Sequence, residues 1–375
     1  MMNTSTEECL RILVVEDEEG PAKTLKKTIE EHLGSIDIQI EQNFDKALTV
    51  IRPRSFEAVV LDLFRGDPAN NDKEGQKLWE QIWRTKLVPI IVHTAGDFDL
   101  DPSIPSNNPF LKCFKKQSGS DEEVAKHLLL IKPHILALRE VELEFNGVIQ
   151  RTLVEISPLI WQVEADNQLR SELLTRSARR RLAAMMDLNT LTSNKQLLSW
   201  EQYIIPPLED CLLMGDILRV RSEAAADPTA HRLVLTPSCD MVAHKGKSKV
   251  NSILVAKCKH MNEYLKLANV SEKELSKKLP RLLTEPHLGG YVPLPEYGSV
   301  LPNMAVCLRD LELIPLGNIG TANKPHVTFD RVASIDSPFR EHIAWAYLQI
   351  AGRPGVPDRD LDKWTRKILE SRGAS

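Results

Sequence analysis

The stretch LVVEDEE, from Leu13 to Glu19, ends an apolar run in four consecutive acidic residues. Carboxylates crowded at a strand tip repel one another unless open solvent or a cation lies between them. Other groups able to do chemistry stand at the ends of later apolar runs. Asp62 lies in FEAVVLDLF, Thr94 in VPIIVHTAG and Lys115 in FLKCFKK. With Glu16 and Asp17 they make a set of three carboxylates, one hydroxyl and one amine. A second constellation is TPSCD, where Cys239 stands beside Asp240 with His231 and His244 near in sequence and Cys258 and His260 further on. A thiolate needs a base or a cation to stay charged, as in a nucleophile or a zinc corner, but a lone cysteine on a buried strand is usually a small apolar filler, and that is the expectation here.

The elements that must position the first set alternate in type. RILVV (11 to 15) reads as a fully buried strand, and residues 20 to 34 read as an amphipathic helix closing at Gly34. Residues 36 to 42 alternate with period two, FDKALTVIR returns to helix, and 56 to 64 form a second buried strand. EGQKLWEQIWRTK is helical, 88 to 96 and 110 to 116 are strands, and a Ser cap opens a helix near 121. Five strands alternating with helices predict a doubly wound parallel α/β sheet. In such sheets the ligand lies beyond the carboxyl ends of the strands, which is where Glu16, Asp17, Asp62, Thr94 and Lys115 fall.

The 375 residues carry 42% hydrophobic and 27% charged side chains, enough to bury the cores of two or three domains. A net charge of -4 gives no general pull toward nucleic acid or anionic membrane. Six scattered cysteines with no CxxC pair fit a reducing compartment, and no apolar run approaches the ~20 residues of a membrane span. A cytoplasmic protein with no membrane partner is the expectation.

Residues 10 to 130 resemble the receiver domain of two-component response regulators, through the acidic pair, the buried-strand Asp, the HTA and the Lys in order on successive strands. The resemblance implies phosphorylation of Asp62 by a histidine kinase. It implies Mg²⁺ held by Glu16, Asp17, Asp62 and the backbone carbonyl of Phe64. Thr94 would follow the phosphoryl oxygens and Lys115 would pair with them; Lys116 is the competing amine, because one slip of register exchanges the two. A carboxylate is a poor nucleophile toward an anionic phosphoryl group, and a hard cation with an ammonium neutralises that repulsion. The sequence departs from the family in three places. The loop from Asp62 to Gly75 is long, Lys112 takes the place of an aromatic before the lysine, and a Pro- and Asp-rich segment (98 to 109) replaces a helix.

Beyond residue 130 apolar residues continue at helical spacing through Ile135, Leu138, Val141, Phe145, Val148, Leu153, Ile156 and Ile160. This stripe reads either as packing on its own domain or as a seam for a homodimer. A second helical tract carries Arg176, Arg179, Arg180 and Arg181, with no helix-turn-helix reader beside it. From about 200, short strands at 214 to 220, 231 to 241 and 251 to 260 predict a mixed α+β domain with a small β-rich core. Its GDI strand followed by an apolar strand resembles small barrels of the toxin-nuclease type, and no catalytic residue is carried across.

The expected organisation is therefore a receiver (1 to 130), a helical linker (131 to 200) and a C-terminal output domain (201 to 375). The expected function is a response regulator whose output does not read DNA sequence. The alternatives are a phosphate sink competing for a kinase, and a receiver-controlled enzyme acting on nucleotide or RNA.

Overall fold

In the computed structural model the described residues are 9–34, 36–51, 56–66, 74–85, 88–97, 108–192, 196–208, 212–242, 248–269, 272–285, 287–320, 327–352 and 359–373. They divide into two compact units, residues 1–188 and 189–375.

The first unit is built on five parallel strands, β1 (Leu10–Val15), β2 (Ile36–Glu41), β3 (Ala58–Leu61), β4 (Ile90–Thr94) and β5 (Leu111–Lys115), in the order β2-β1-β3-β4-β5. Strand order reverses between β1 and β3, so their carboxyl ends bound the crevice where such sheets bind ligands. β1 and β3 are apolar at successive positions because both of their faces are covered. On one face Leu10, Ile12, Val14 and Val60 pack against Leu25 and Ile29 of α1 (Glu19–Leu33) and against Val124, Leu128 and Ile131 of a long helix. On the other, Leu13, Val15, Val59 and Leu61 meet Phe44 of α2 (Phe44–Val50) and Leu78, Trp79 and Ile82 of α3 (Glu74–Thr85). The expected doubly wound parallel sheet is therefore present.

Local chemistry sets the ends of these elements. Gly34, with φ of 73°, stops α1, and the Asn43 side chain accepts the Lys46 amide to start α2. The segment between β4 and β5 that the sequence reading gave as a loop in place of a helix lies, over 98–107, outside the described residues. So do Asp67 and Asp72 of the long loop after β3.

The long helix is α4 (Ser120–Val163), 44 residues in one run, and the expected border at 130/131 falls inside it. Its first half packs on the sheet. Its second half folds back on α5 (Asn167–Thr192) as an antiparallel hairpin: Glu155 pairs with Arg181 at 2.5 Å, and Arg151 approaches the Met185 sulfur at 3.8 Å. Arg170 fastens the turn. Its guanidinium donates to the carbonyls of Glu164 (2.6 Å) and Trp161 (3.3 Å) and stacks on the Trp161 ring at 5.0 Å. One side chain thus satisfies carbonyls that the end of α4 leaves unpaired.

The second unit is an eight-stranded sheet. Its strands are β6 (Tyr203–Ile204), β7 (Asp216–Val220), β8 (His231–Val234), β9 (Ser252–His260), β10 (Tyr291–Leu294), β11 (Met304–Pro315), β12 (Ile319–Gly320) and β13 (Phe329–Ile335). The order is β10-β11-β9-β8-β7-β13-β12, with β6 also on β13, and all pairs are antiparallel except β12 with β13. The helices are α6 (Ser238–Met241), α7 (Met261–Leu267), α8 (Glu272–Thr284), α9 (Phe339–Ala351) and α10 (Leu361–Gly373). One face buries Ile217, Leu233, Ala256 and Val306 with Ile343 and Ala346 of α9, and the other buries Leu218, Val234, Val255 and Ile314. The β-rich core is thus larger than the short strands suggested, and its pairing runs in a line without closing a barrel among the described residues.

One close approach ties the fold to the first candidate site. Gly75, in the first turn of α3, lies so near the chain after β3 that an added Cβ would meet the Asp62 carbonyl oxygen at 2.1 Å and the Leu63 Cα at 2.6 Å. Backbone cannot swing aside as a side-chain tip can. Gly75→Ala is expected to lower stability by about 1–3 kcal/mol, the cost typical of overpacking, which urea unfolding would measure.

Candidate functional site

The carboxyl ends of β1, β3, β4 and β5 bring five groups together. β1 ends at Val15, and Glu16 follows with its amide bonded to the Glu41 carbonyl and its side chain turned inward, 3% exposed. Asp62 follows β3, its amide donating to the Val15 carbonyl at 2.9 Å, and it is 6% exposed. Between these two carboxylates stands Lys116, its Nζ 2.6 Å from Glu16 Oε2 and 2.5 Å from Asp62 Oδ2. The Lys116 amide donates to the Thr94 carbonyl at 2.8 Å, which fixes the lysine beside the end of β4.

The sequence reading gives Lys115 as the phosphate-pairing amine with Lys116 as the competing choice, and the structure puts Lys116 beside the acids. Lys115 turns away from the acids and pairs with Asp97 at 2.7 Å, with both side chains largely in water. Alternation along β5 is the reason: Phe114 packs into the core beneath α1 and α4, and Lys116 is two residues on, with the same parity. The position three residues before the bridging lysine is then Cys113 rather than Lys112, and neither is aromatic.

Glu16, Asp17 and Asp62 each offer an oxygen within 4.8 Å of the others, the one potential metal cluster among the described residues. Asp17 Oδ2 accepts the Gly66 amide at 2.9 Å, and Asp62 Oδ1 accepts the Phe64 amide at 3.2 Å. The Phe64 ring is buried against Gly96, where a Cβ would stand 2.3 Å from the ring edge. Two buried oxygens have no hydrogen-bond partner, Glu16 Oε1 and Thr94 Oγ1. An unpartnered carboxylate oxygen in an all-oxygen acidic cluster fits a hard divalent cation, which would supply the missing neutralisation.

Burial pushes the Glu16 carboxyl up to about 7, with the repulsion of Asp62 and Asp17 adding to it and the bond from Lys116 working against it. Burial works to lower Lys116, and the pull of Asp62 and then Glu16 overrides it, so the ammonium is held more firmly than usual.

His93, missed by the sequence reading, lies one residue before Thr94. Its Nε2 is 2.8 Å from Ser120 Oγ and 3.6 Å from an Asp121 oxygen, and burial lowers its pKa despite Asp121. The β4 end and the first turn of α4 are thereby joined. A polar residue in an otherwise apolar buried run was the only signal available in the sequence.

The strand order reverses at the crevice that holds an acid cluster bridged by one lysine, with a buried threonine hydroxyl on the neighbouring strand. Residues 10 to 130 thus form a doubly wound parallel α/β domain with this cluster at its switch point. No family model matches this chain, and no curated protein does. Among solved structures, a sensor protein from Polaromonas sp. JS666 is 20% identical over 34% of this chain and 98% of its own, with a TM-score of 0.26. A response regulator receiver domain (CheY-like) from Methylobacillus flagellatus is 20% identical over 32% and 98%, at 0.25. The non-phosphorylated HemR receiver domain from Leptospira biflexa is 33% identical over 23% and 64%, at 0.20.

Among the described residues the second constellation does not assemble into a site. Cys239 is exposed on α6, outside a strand, its thiol 3.6 Å from Asp240; Cys258 is buried in the sheet core, where burial pushes its thiol up to about 12. His231 Nδ1 bonds the Asp227 carbonyl, His260 stands 3.9 Å from Asp227, and His244 lies outside the described residues. The GDI motif has a structural use instead. Asp216 is fully buried, bonds the Leu213 amide at 2.7 Å and the Ser334 hydroxyl, and lies 3.5 Å from Arg331.

The acidic site yields a pH prediction for metal-free protein. Because the folded pKa of Glu16 lies above its ordinary 4.5, its favourable contribution is complete below pH 4.5 and is lost as pH rises through about 7. A glutamine side chain cannot ionise. The stability of Glu16→Gln relative to the parent should therefore rise by on the order of 1–3 kcal/mol between pH 4.5 and 7.5, as read by urea unfolding in chelator.

Proposed function

We propose that this chain is a response regulator in which Asp62 accepts a phosphoryl group from a histidine kinase. The observation that carries the reading is Lys116, whose ammonium bridges the buried carboxylates of Asp62 and Glu16. An Asp62 oxygen attacks phosphorus as the bond from phosphorus to the donor imidazole nitrogen breaks, and the departing imidazole keeps the electron pair. Lys116, already paired with the nucleophile, is placed to balance the charge of the incoming group. The Thr94 hydroxyl, buried and without a partner, is available to a phosphoryl oxygen. Glu16, Asp17 and Asp62, with the Phe64 carbonyl, are the proposed Mg²⁺ ligands. When bound, the cation lowers the repulsion between the carboxylate nucleophile and the anionic phosphoryl group.

Intact mass after incubation with a small phosphodonor tests this. One phosphoryl adduct is expected with Mg²⁺ and none in chelator or in Asp62→Asn. Lys116→Ala should slow its formation tenfold or more, and Lys115→Ala should leave the rate within about twofold. An adduct that persists in Asp62→Asn would overturn the assignment.

For the C-terminal unit we propose an output that binds a protein or small ligand and does not read DNA sequence. Six basic side chains on and beside its sheet are matched by acids: Arg219 and Arg221 with Asp330, Arg232 with Glu312, Lys257 and Lys259 with Asp310, and Lys249 with Asp240. Cations neutralised within the fold have little left to offer a phosphate backbone, which supplies most of the affinity for nucleic acid. In a genomic DNA selection at physiological salt, the phosphorylated protein should enrich no motif. A motif lost on Arg179→Ala with Arg180→Ala would restore a transcription factor.

A further inference from the structure

Lys116 stands one residue beyond the last pair of the β4–β5 ladder, yet its Nζ is held between two buried carboxylates. The backbone around it is tied on both sides. Its own amide donates to the Thr94 carbonyl at 2.8 Å. The next amide, that of Gln117, donates to Ser120 Oγ at 3.2 Å. Ser120 Oγ shares a hydrogen bond with His93 Nε2 at 2.8 Å, while the nearest Asp121 oxygen stands farther off at 3.6 Å. Because His93 and Thr94 are consecutive on β4, these bonds close a ring that runs from His93 to Ser120, to Gln117, through Lys116 to Thr94 and back along the strand. Both peptide groups of the lysine thus answer to one pair of neighbouring residues.

Packing alone gives no reason for a histidine in that position. His93 follows Ile91 by two residues, so it takes the side of the sheet where Ile91 packs with Val124 and Leu128 of α4. It is 5% exposed, and its Nδ1 has no partner among the described residues. A buried polar atom without a partner is destabilising, and an aliphatic side chain would fill the place without one. What the imidazole supplies is an anchor for the Ser120 hydroxyl on the strand that carries Thr94.

We propose that His93 is a positioning residue for Lys116: through Ser120 and the Gln117 amide it holds the turn that aims the ammonium at Asp62. This rests on the reading of Asp62 as the phosphoacceptor. A lysine side chain has many rotamers, so its charge keeps to one place only if its backbone origin is fixed. A misplacement of about 1 Å can slow a transfer step on the order of 100-fold. His93 therefore serves the reaction through the lysine, and a purely structural histidine would not depend on Lys116 for its effect.

Two measurements on the full chain test it, and the first involves no phosphate. Hydrogen exchange at the Gln117 amide, followed by NMR, should quicken on the order of tenfold in His93→Leu, with the amides of β1 and β3 unchanged. The second is the rate of adduct formation on Asp62 from a saturating small phosphodonor with Mg²⁺. His93→Leu should slow it on the order of tenfold, and His93→Gln, whose amide group can still reach Ser120, should recover most of the loss. In a Lys116→Ala background His93→Leu should add nothing, because the lysine it positions is gone. Unchanged exchange at Gln117 in His93→Leu would overturn the proposal. So would faster exchange shared by β1 and β3, which marks a structural role, a parental rate in His93→Leu, or a loss repeated in full in the Lys116→Ala background. A parent chain that takes no adduct would instead remove the phosphoacceptor reading, and the exchange measurement would still decide whether His93 holds the turn.

Discussion

Everything at the sheet edge depends on the ammonium of Lys116 standing between two buried carboxylates. Glu16 and Asp62 lie at the ends of adjacent strands, and both carboxylates are buried. Burial, with a smaller part from the repulsion of Asp62 and Asp17, raises the Glu16 carboxyl, and a single lysine relieves only part of that cost. The site is therefore held in a state that a further positive charge would relieve. A folded core creates this demand, because the hydrophobic strands that fix the acids also exclude the water that would otherwise solvate them.

The same edge is attached to the rest of the unit through short covalent paths. Thr94 and His93 are consecutive on β4, Lys116 bonds the Thr94 carbonyl, and His93 meets Ser120 at the start of α4. From Ser120 the helix runs without a break into the hairpin. A change of charge at Asp62 thus lies two side-chain contacts from the element that carries the large exposed apolar stripe. The sequence reading expected an aromatic position before the lysine to be occupied by Lys112. The register places Cys113 there instead, and the polar His93–Ser120 contact is what joins the strand to the helix.

The C-terminal unit follows a different logic. Its sheet is antiparallel apart from the β12–β13 pair and is covered by apolar clusters on both faces, and charged side chains pair across neighbouring strands. Asp216 is buried with Ser334 and Arg331 and fastens the turn that opens β7 to β13. Residues that looked chemical in the sequence, the Asp of GDI and the cysteines, are used here for folding or stand apart from one another. Cys239 and Cys258 read as neighbours on paired strands only if β8 continues through TPSCD, and it stops at Val234.

Sequence alone determined the order and type of the first five strands, because buried parallel strands are apolar on both faces and the helices between them repeat at helical spacing. It also determined that acids end β1 and β3, since residue types at a strand end need no tertiary information. The tertiary structure decided which lysine serves them. β5 is an edge strand with exposed residues at consecutive positions, which gives no sign of the face each lysine takes, so Lys115 and Lys116 are equivalent in sequence and the packing of Phe114 against the core decides between them. It decided as well that α4 turns back on α5, which depends on Arg170 binding the carbonyls at the end of α4 across a short turn. Contacts between residues distant in sequence are set by the packing of whole elements, and no local pattern records them.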